Sequence, residues 1–222
     1  MIKTQVLVMG SGPGGYTAAF RAADLGKEVT LVERYDSLGG VCLNVGCIPS
    51  KSLLHTAEVI NESKHASELG VTFSKPKIDL EGVKKNTNSI VNKLTGGIQA
   101  LAKARKVKVI NDYAKFLSKN QVVLQSTDEV IEFDQCIISV GSRVTKFPMF
   151  PFEDDRVMDS TDALLLDDIP KRMLVVGGGI IGLEMATIYD ALGSEITIVE
   201  LGPQIIPAAD KDIVNPLFKK AK

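Results

Sequence analysis

Cys42 and Cys47 stand five positions apart in the segment GGVCLNVGCIPSK, residues 39–51, and are the side chains best placed to do chemistry. Pro49 suits the first turn of a helix, where its missing N–H has no partner to lose. A thiolate just before that turn would feel the helix dipole and unpaired N–H groups, which lower its pKa. Once reduced, such a pair would hold one reactive thiolate beside whatever binds there. Two other readings stay open on these residues alone. A zinc half-site would need further ligands, since structural zinc takes four, and the remaining candidates are His55, His65 and Cys136. Inert buried thiols fit a Gly-rich, partly polar loop poorly. Cys136 lies in an apolar run and reads as core.

The elements that would position this pair come from an internal repeat. Leu7 to Glu33 reads LVMGSGPGGYTAAFRAADLGKEVTLVE, and Leu174 to Glu200 reads LVVGGGIIGLEMATIYDALGSEITIVE. Each copy runs apolar strand, G-x-G-x-x-G, helix, Leu-Gly stop, second strand and terminal Glu, without a gap. A single G-x-G-x-x-G says little, but here each follows a strand, opens a helix and precedes an acid about 20 residues on. Gly10 and Gly177 would turn the chain out of the strand. Gly12 and Gly179 would let a pyrophosphate reach the helix N-terminus, and Gly15 and Gly182 would let helix and strand pack closely. Glu33 and Glu200 would accept hydrogen bonds from a ribose diol, since an acid at a strand tip has no evident packing purpose. A carboxylate at Glu200, followed by no Arg in Leu201-Gly202-Pro203-Gln204, would repel a 2′-phosphate and so favour NAD over NADP.

Between the copies, 50–63 has helical spacing, and Ile90, Leu94, Ile98 and Leu101 form an apolar stripe broken by Gly96 and Gly97. That stripe is expected to pack on a sheet. Short strands are expected at 107–110, 122–124 and 129–133, and a buried one at 136–140. Pro148, Pro151 and the acidic run 153–155 mark a linker. The fold class expected is α/β, with two doubly wound nucleotide-binding domains: 1–147, and an incomplete 148–222.

Composition narrows the partners. A net charge of -1 over 222 residues gives no reason to expect nucleic acid or an anionic membrane. The apolar run from Met173 to Leu183 is shorter than the roughly 17–25 residues of a membrane span. No leader is expected before the first strand, and three cysteines are too few for a disulfide framework. The chain therefore reads as cytosolic.

GGVCLNVGCIPSKSLLH resembles the redox-disulfide signature of the flavin-dependent pyridine nucleotide–disulfide oxidoreductases. Its wording is closest to the dihydrolipoamide dehydrogenases, bacterial type, among them. The resemblance covers the chain: first fingerprint, cysteine motif, the strand from Phe133 to Arg143, and GGGIIGLE. It implies that Gly10, Gly12, Gly15, Glu33, Gly40, Ala114 and Gly141 contact FAD, and that Gly177, Gly179, Gly182 and Glu200 contact NAD. It also implies that Cys42 and Cys47 form the redox disulfide. Cys42 would exchange with a dihydrolipoyl dithiol, and Cys47 would face the flavin, from which hydride passes to NAD. Lys51 would lie beside the flavin and pair with Glu184 near the nicotinamide. The turn Ser139-Val140-Gly141-Ser142 departs mildly from the family's Ala-Thr-Gly type. A homodimer serving the lipoyl-bearing acyltransferase subunits of 2-oxoacid dehydrogenase complexes is further implied. The family is about twice this length and carries its His-Pro…Glu base further along, so the chain is expected to be a truncated and inactive part. Its last residues, 218–222, would then interrupt a helix. Non-catalytic nucleotide binding, and a glutathione- or mercury-type reductase, are the alternatives.

Overall fold

Alternation along the first strand sets the layers. In β1 (Ile2–Met9), Val6 and Val8 face one side and Leu7 and Met9 the other, as a period of two requires. The structure, a computed structural model, describes residues Met1–Lys220. β2 (Val29–Glu33) and β6 (Val130–Ile138) flank β1 in parallel, and β3 (Lys108–Asn111) extends the sheet beyond β2. β5 (Gln121–Leu124) and β4 (Ala114–Ser118) add an antiparallel arm, giving the order β3-β2-β1-β6-β5-β4.

Helix α1 (Pro13–Asp24) covers one face through Ala19 and Phe20, which pack on Val6, Val8, Val29 and Leu31. The opposite face, with Leu7, Met9 and Val32, is closed by Val122, Leu124, Ile131 and Phe133. The arm thus stands where a doubly wound sheet would carry a second helix layer. The short helix α2 (Gly40–Val45) follows, then α3 (Cys47–His65) and, beyond a 3-10 turn, α4 (Leu80–Ala104).

The chain divides into two units, Met1–Pro49 with Asn88–Thr145, and Ser50–Thr87 with the chain from Lys146 onward. One crossing lies close to the boundary expected near residue 147. The residues from Ser50 to Thr87 nevertheless belong to the second unit, because the apolar face of α3 is buried there. Leu53 packs with Ala163 of α5 (Ser160–Leu165) and with Met185, Ile188 and Tyr189 of α6 (Ile180–Leu192), while Ala57 and Ile60 meet Ala191. β7 (Arg172–Val176) and β8 (Glu195–Val199) pair in parallel, with α6 as their crossover, and α7 (Lys211–Lys220) follows. The expected helix interruption at 218–222 extends past the described residues.

Two expectations fail. The strands foreseen at 129–133 and 136–140 are one strand, β6, whose end is not buried: Ile138 is 61% exposed. β5 pairs only with Val130, Ile131 and Glu132, so the last residues of β6 have β1 as neighbour on one side alone. The stripe on α4 forms a continuous helix through Gly96 and Gly97, yet Ile90, Leu94 and Leu101 are exposed, and only Ile98 packs on the first core. No helix among the described residues is long and apolar enough to cross a membrane.

Leu53 is 2% exposed at the centre of the second core. Leu53→Ala should lower unfolding free energy by about 2–5 kcal/mol, read by urea denaturation. A loss under about 1 kcal/mol would show that the α3 face is not a packed core.

Candidate functional site

The turn between β1 and α1 is held from inside. Gly10 has φ +92°, and a Cβ on it would lie 2.3 Å from the carbonyl oxygen of Ser139. Ser11 is fully buried. Its N–H and hydroxyl both donate to Glu33 Oε2, at 2.8 and 2.6 Å, and the Tyr35 N–H donates to Glu33 Oε1 at 3.1 Å. Glu33 is 6% exposed. The acid at the strand tip therefore does have a structural job, contrary to the sequence reading: it ties the glycine turn to the end of β2. Beside it lies a cavity of about 380 Å³, lined by Glu33, Tyr35, Asn111 and the α4 residues Gln99 and Lys103 among others.

The cysteine segment is laid directly on that turn. The Gly39 N–H donates to the Ser11 carbonyl at 3.0 Å and lies 3.3 Å from its hydroxyl. Gly40, at φ +61°, brings its backbone so close that a Cβ would lie 2.6 Å from the Gly12 Cα. α2 carries Cys42, half-buried, and ends at Gly46. α3 opens on Cys47 itself, which is exposed, with Pro49 inside its first turn. Leu43 is buried, and the Asn44 amide donates to the carbonyls of Leu38 and Gly40 at 3.1 and 2.9 Å. Ser139 continues the neighbourhood, its N–H donating to Met9 O at 2.8 Å, and the left-handed Gly141 follows it. Ala114 opens β4 opposite Leu124. Sequence reading singled out neither Ser11 nor Asn44; the visible signal for each was a polar residue set between glycines or cysteines.

The second unit repeats the backbone bonds of the first, at the 167-residue offset separating Leu7 from Leu174. Gly10 N donates to Val32 O and Gly177 N to Val199 O, both at 2.8 Å. Gly178 N donates to Glu200 Oε2 at 2.7 Å, and Gly202 N to Glu200 Oε1 at 2.8 Å, matching Ser11 and Tyr35. Ile206 N donates to Gly178 O at 2.8 Å, as Gly39 N does to Ser11 O. In the same unit the ammonium of Lys51, in the second turn of α3, donates to Glu184 Oε1 of α6 at 2.7 Å. The two are thus brought together as expected.

The chain's descent is settled by comparison. Residues 4–222 match the pyridine nucleotide-disulphide oxidoreductase family. The chain belongs to that family. It is 54% identical to a dihydrolipoyl dehydrogenase of Haemophilus influenzae and 53% identical to one of Vibrio parahaemolyticus, in each case over 100% of this chain and 47% of the relative. It therefore spans about half the length of the curated relatives it matches. Among solved structures it resembles the HOCl-induced flavoprotein disulfide reductase RclA from Escherichia coli, with TM-score 0.82, 27% identity, and coverage of 97% of this chain and 46% of that one.

The open helix start of each turn suits a pyrophosphate, such as that of the pyridine nucleotide in this family's name. A Cβ on Gly15 would sit 1.8 Å from Gly10 O, and one on Gly182 2.2 Å from Gly177 O, so internal packing accounts for the third glycine of each turn. It does not account for the middle one: a Cβ on Gly179 would meet nothing within 4 Å, and one on Gly12 only the Gly40 Cα at 4.0 Å. Both are extended N-caps with no side-chain cap, which leaves the helix starts open to an anion. Among the described residues no three Cys, His, Asp or Glu side chains are grouped so that they could hold a metal ion.

The Gly202 and Gly178 N–H groups hold the Glu200 carboxyl below its ordinary 4.5. A depressed folded pKa stabilises the fold above the unfolded value, and that stability is lost as pH falls through the folded one. Glu200→Gln should therefore flatten the fall in stability below pH 4.5, relative to the parent chain. Parallel acid limbs in thermal melts of the two proteins would contradict this.

Proposed function

We propose that this chain is the FAD- and NAD-binding part of a dihydrolipoyl dehydrogenase, in which Cys42 and Cys47 oxidise protein-bound dihydrolipoyl groups. The observation that carries this reading is the cysteine segment laid against the first glycine turn through Gly39 and Gly40. Identity above 50% over the whole chain to relatives of that name supports the choice within the family.

On this reading Gly10, Gly12, Gly15, Glu33, Gly40, Ala114 and Gly141 hold FAD, and Gly177, Gly179, Gly182 and Glu200 hold NAD. Bound there, FAD supplies the chemistry that links a dithiol couple to a nicotinamide. Glu33 and Glu200 each keep acceptor capacity for a ribose hydroxyl, since a carboxylate offers about four lone-pair sites and the bonds above fill three and two. A substrate thiolate attacks Cys42 and displaces Cys47 as thiolate. Cys47, exposed at the start of α3, is on this reading the sulfur that faces the flavin. Lys51, fixed by Glu184, places a positive charge one turn further along the same helix.

Glu200 disfavours a glutathione- or mercury-type reductase, because its carboxylate is pinned by two N–H groups and cannot turn away from a 2′-phosphate. A homodimer, a cytoplasmic location and lipoyl-bearing acyltransferase partners complete the proposal for the full-length protein. This chain, at about half the relatives' length, is expected to bind nucleotide without dithiol turnover.

Purified chain should be yellow, and dithiol should raise a long-wavelength absorbance band that Cys47→Ser removes. A colourless chain that takes up no added FAD would refute the cofactor assignment. In the full-length protein, Cys42→Ser should reduce dihydrolipoamide-dependent NAD reduction to background, and NADP should substitute poorly for NAD. Undiminished turnover in that variant, or equal rates with the two nucleotides, would count against the proposal.

A further inference from the structure

The two cysteines lie on different helices, so their mutual placement depends on what fixes α2. A helix of six residues, Gly40–Val45, has little stability of its own, since isolated helices need about 12–15 residues to be even marginal. Its N-cap is Gly39, which supplies no side-chain cap, and its first turn contains no acid to meet the dipole. Leu43 anchors one side by burial. A disulfide tolerates only Cα separations of about 4.4–6.8 Å and a narrow dihedral range, so a small drift of α2 would matter.

We propose that Asn44 is a positioning residue for the Cys42–Cys47 pair, through two hydrogen bonds from its amide, one to Leu38 in the loop before α2 and one to Gly40 at the start of α2. The inference rests on the redox role proposed above for those cysteines. The amide nitrogen donates both of its hydrogens, to Leu38 O at 3.1 Å and Gly40 O at 2.9 Å. Leu38 is core, packed with Val6, Val8 and Phe20, so the first bond ties α2 to the hydrophobic interior of the unit. Gly40, the first residue of α2, is the one seated on Gly12, so the second bond holds the body of α2 to its own anchored start. At the far end Gly46 closes the helix against Cys42: a Cβ there would lie 2.9 Å from Val41 O and 3.3 Å from the Cys42 Cα. Asn44 thus holds the stretch between the cysteines at its middle.

Such a residue acts on an equilibrium. Two thiols become one disulfide by giving two electrons and two protons to an oxidant, here glutathione disulfide, which leaves as two glutathione thiols. Fixing the backbone beforehand removes part of the ordering cost of closing that bond. Removing Asn44's donors should therefore favour the dithiol.

The test is the glutathione redox equilibrium of the chain, followed by mass spectrometry of the Cys42–Cys47 peptide, for the parent, Asn44→Leu and Asn44→Ala. Leu keeps most of the volume, and Ala carries the comparison should the larger apolar side chain prevent folding. Both variants should show about a tenfold smaller equilibrium constant for disulfide formation, a potential about 30 mV less negative. A generally loosened fold would lower the melting temperature without that shift, and this outcome would overturn the inference, as would constants equal to the parent's. If the parent itself forms no Cys42–Cys47 disulfide in any buffer, the proposed function fails instead.

Discussion

The contact between Gly40 and Gly12 is the constraint on which the first site depends. The steric demand falls on Gly40, where a Cβ would lie 2.6 Å from the Gly12 Cα, while Gly12 itself leaves the start of α1 open to an anion. A methyl group at Gly40 would push the cysteine segment off the turn; a side chain at Gly12 would stand over the open start of α1. The Gly39–Ser11 hydrogen bond keeps the two strips of backbone in register. The segment carrying Cys42 and the first glycine turn are thereby joined in one seam within the first unit.

The second unit shows what that seam adds to a common plan. The strand-to-turn bond, the double use of the acid and the return bond to the middle of the G-x-G all recur at the same offset. The differences are chemical. At the position of Ser11 the second copy has Gly178, where a Cβ would lie 2.9 Å from Ile205 Cγ2 and 3.2 Å from Glu200 Cβ, so a serine there would require those side chains to shift. At the position of Gly39 it has Ile206, which also adopts a positive φ, of 46°. The first copy departs from the shared pattern with a buried hydroxyl and a glycine pair. Both departures serve the segment that carries Cys42.

The parts legible in the sequence were those that backbone geometry alone dictates. A G-x-G-x-x-G turn has few alternatives to its glycines, so spacing located both turns, both acids and the strands before them. Hydrogen-bond direction is not written in residue type, and so the inward bonds of Glu33 and Glu200 were invisible. The unit boundary was half legible. Prolines and acids marked the crossing near residue 146, but only the packing of Leu53, Ala57 and Ile60 shows that α3 is buried with α6. The apolar stripe of α4 misled for a related reason: periodicity identifies a face, while exposure depends on what else is present to cover it. In the cysteine motif the spacing marks the sulfurs, whereas the two bonds of the Asn44 amide between them leave no trace in the pattern.

That amide is suited to its place by what it lacks as much as by what it donates. The groups it meets are two carbonyl oxygens, so the side chain at residue 44 must be a donor, and a carboxylate would face them lone pair to lone pair. Lysine or arginine would donate, but a full positive charge a few residues from two thiols would lower their pKa values and favour thiolate over disulfide. Serine offers one hydrogen where two acceptors wait. Asparagine supplies two hydrogens from one short, uncharged side chain, and so fixes the backbone of α2 while leaving the electrostatics of the sulfur pair to the helix start at Cys47.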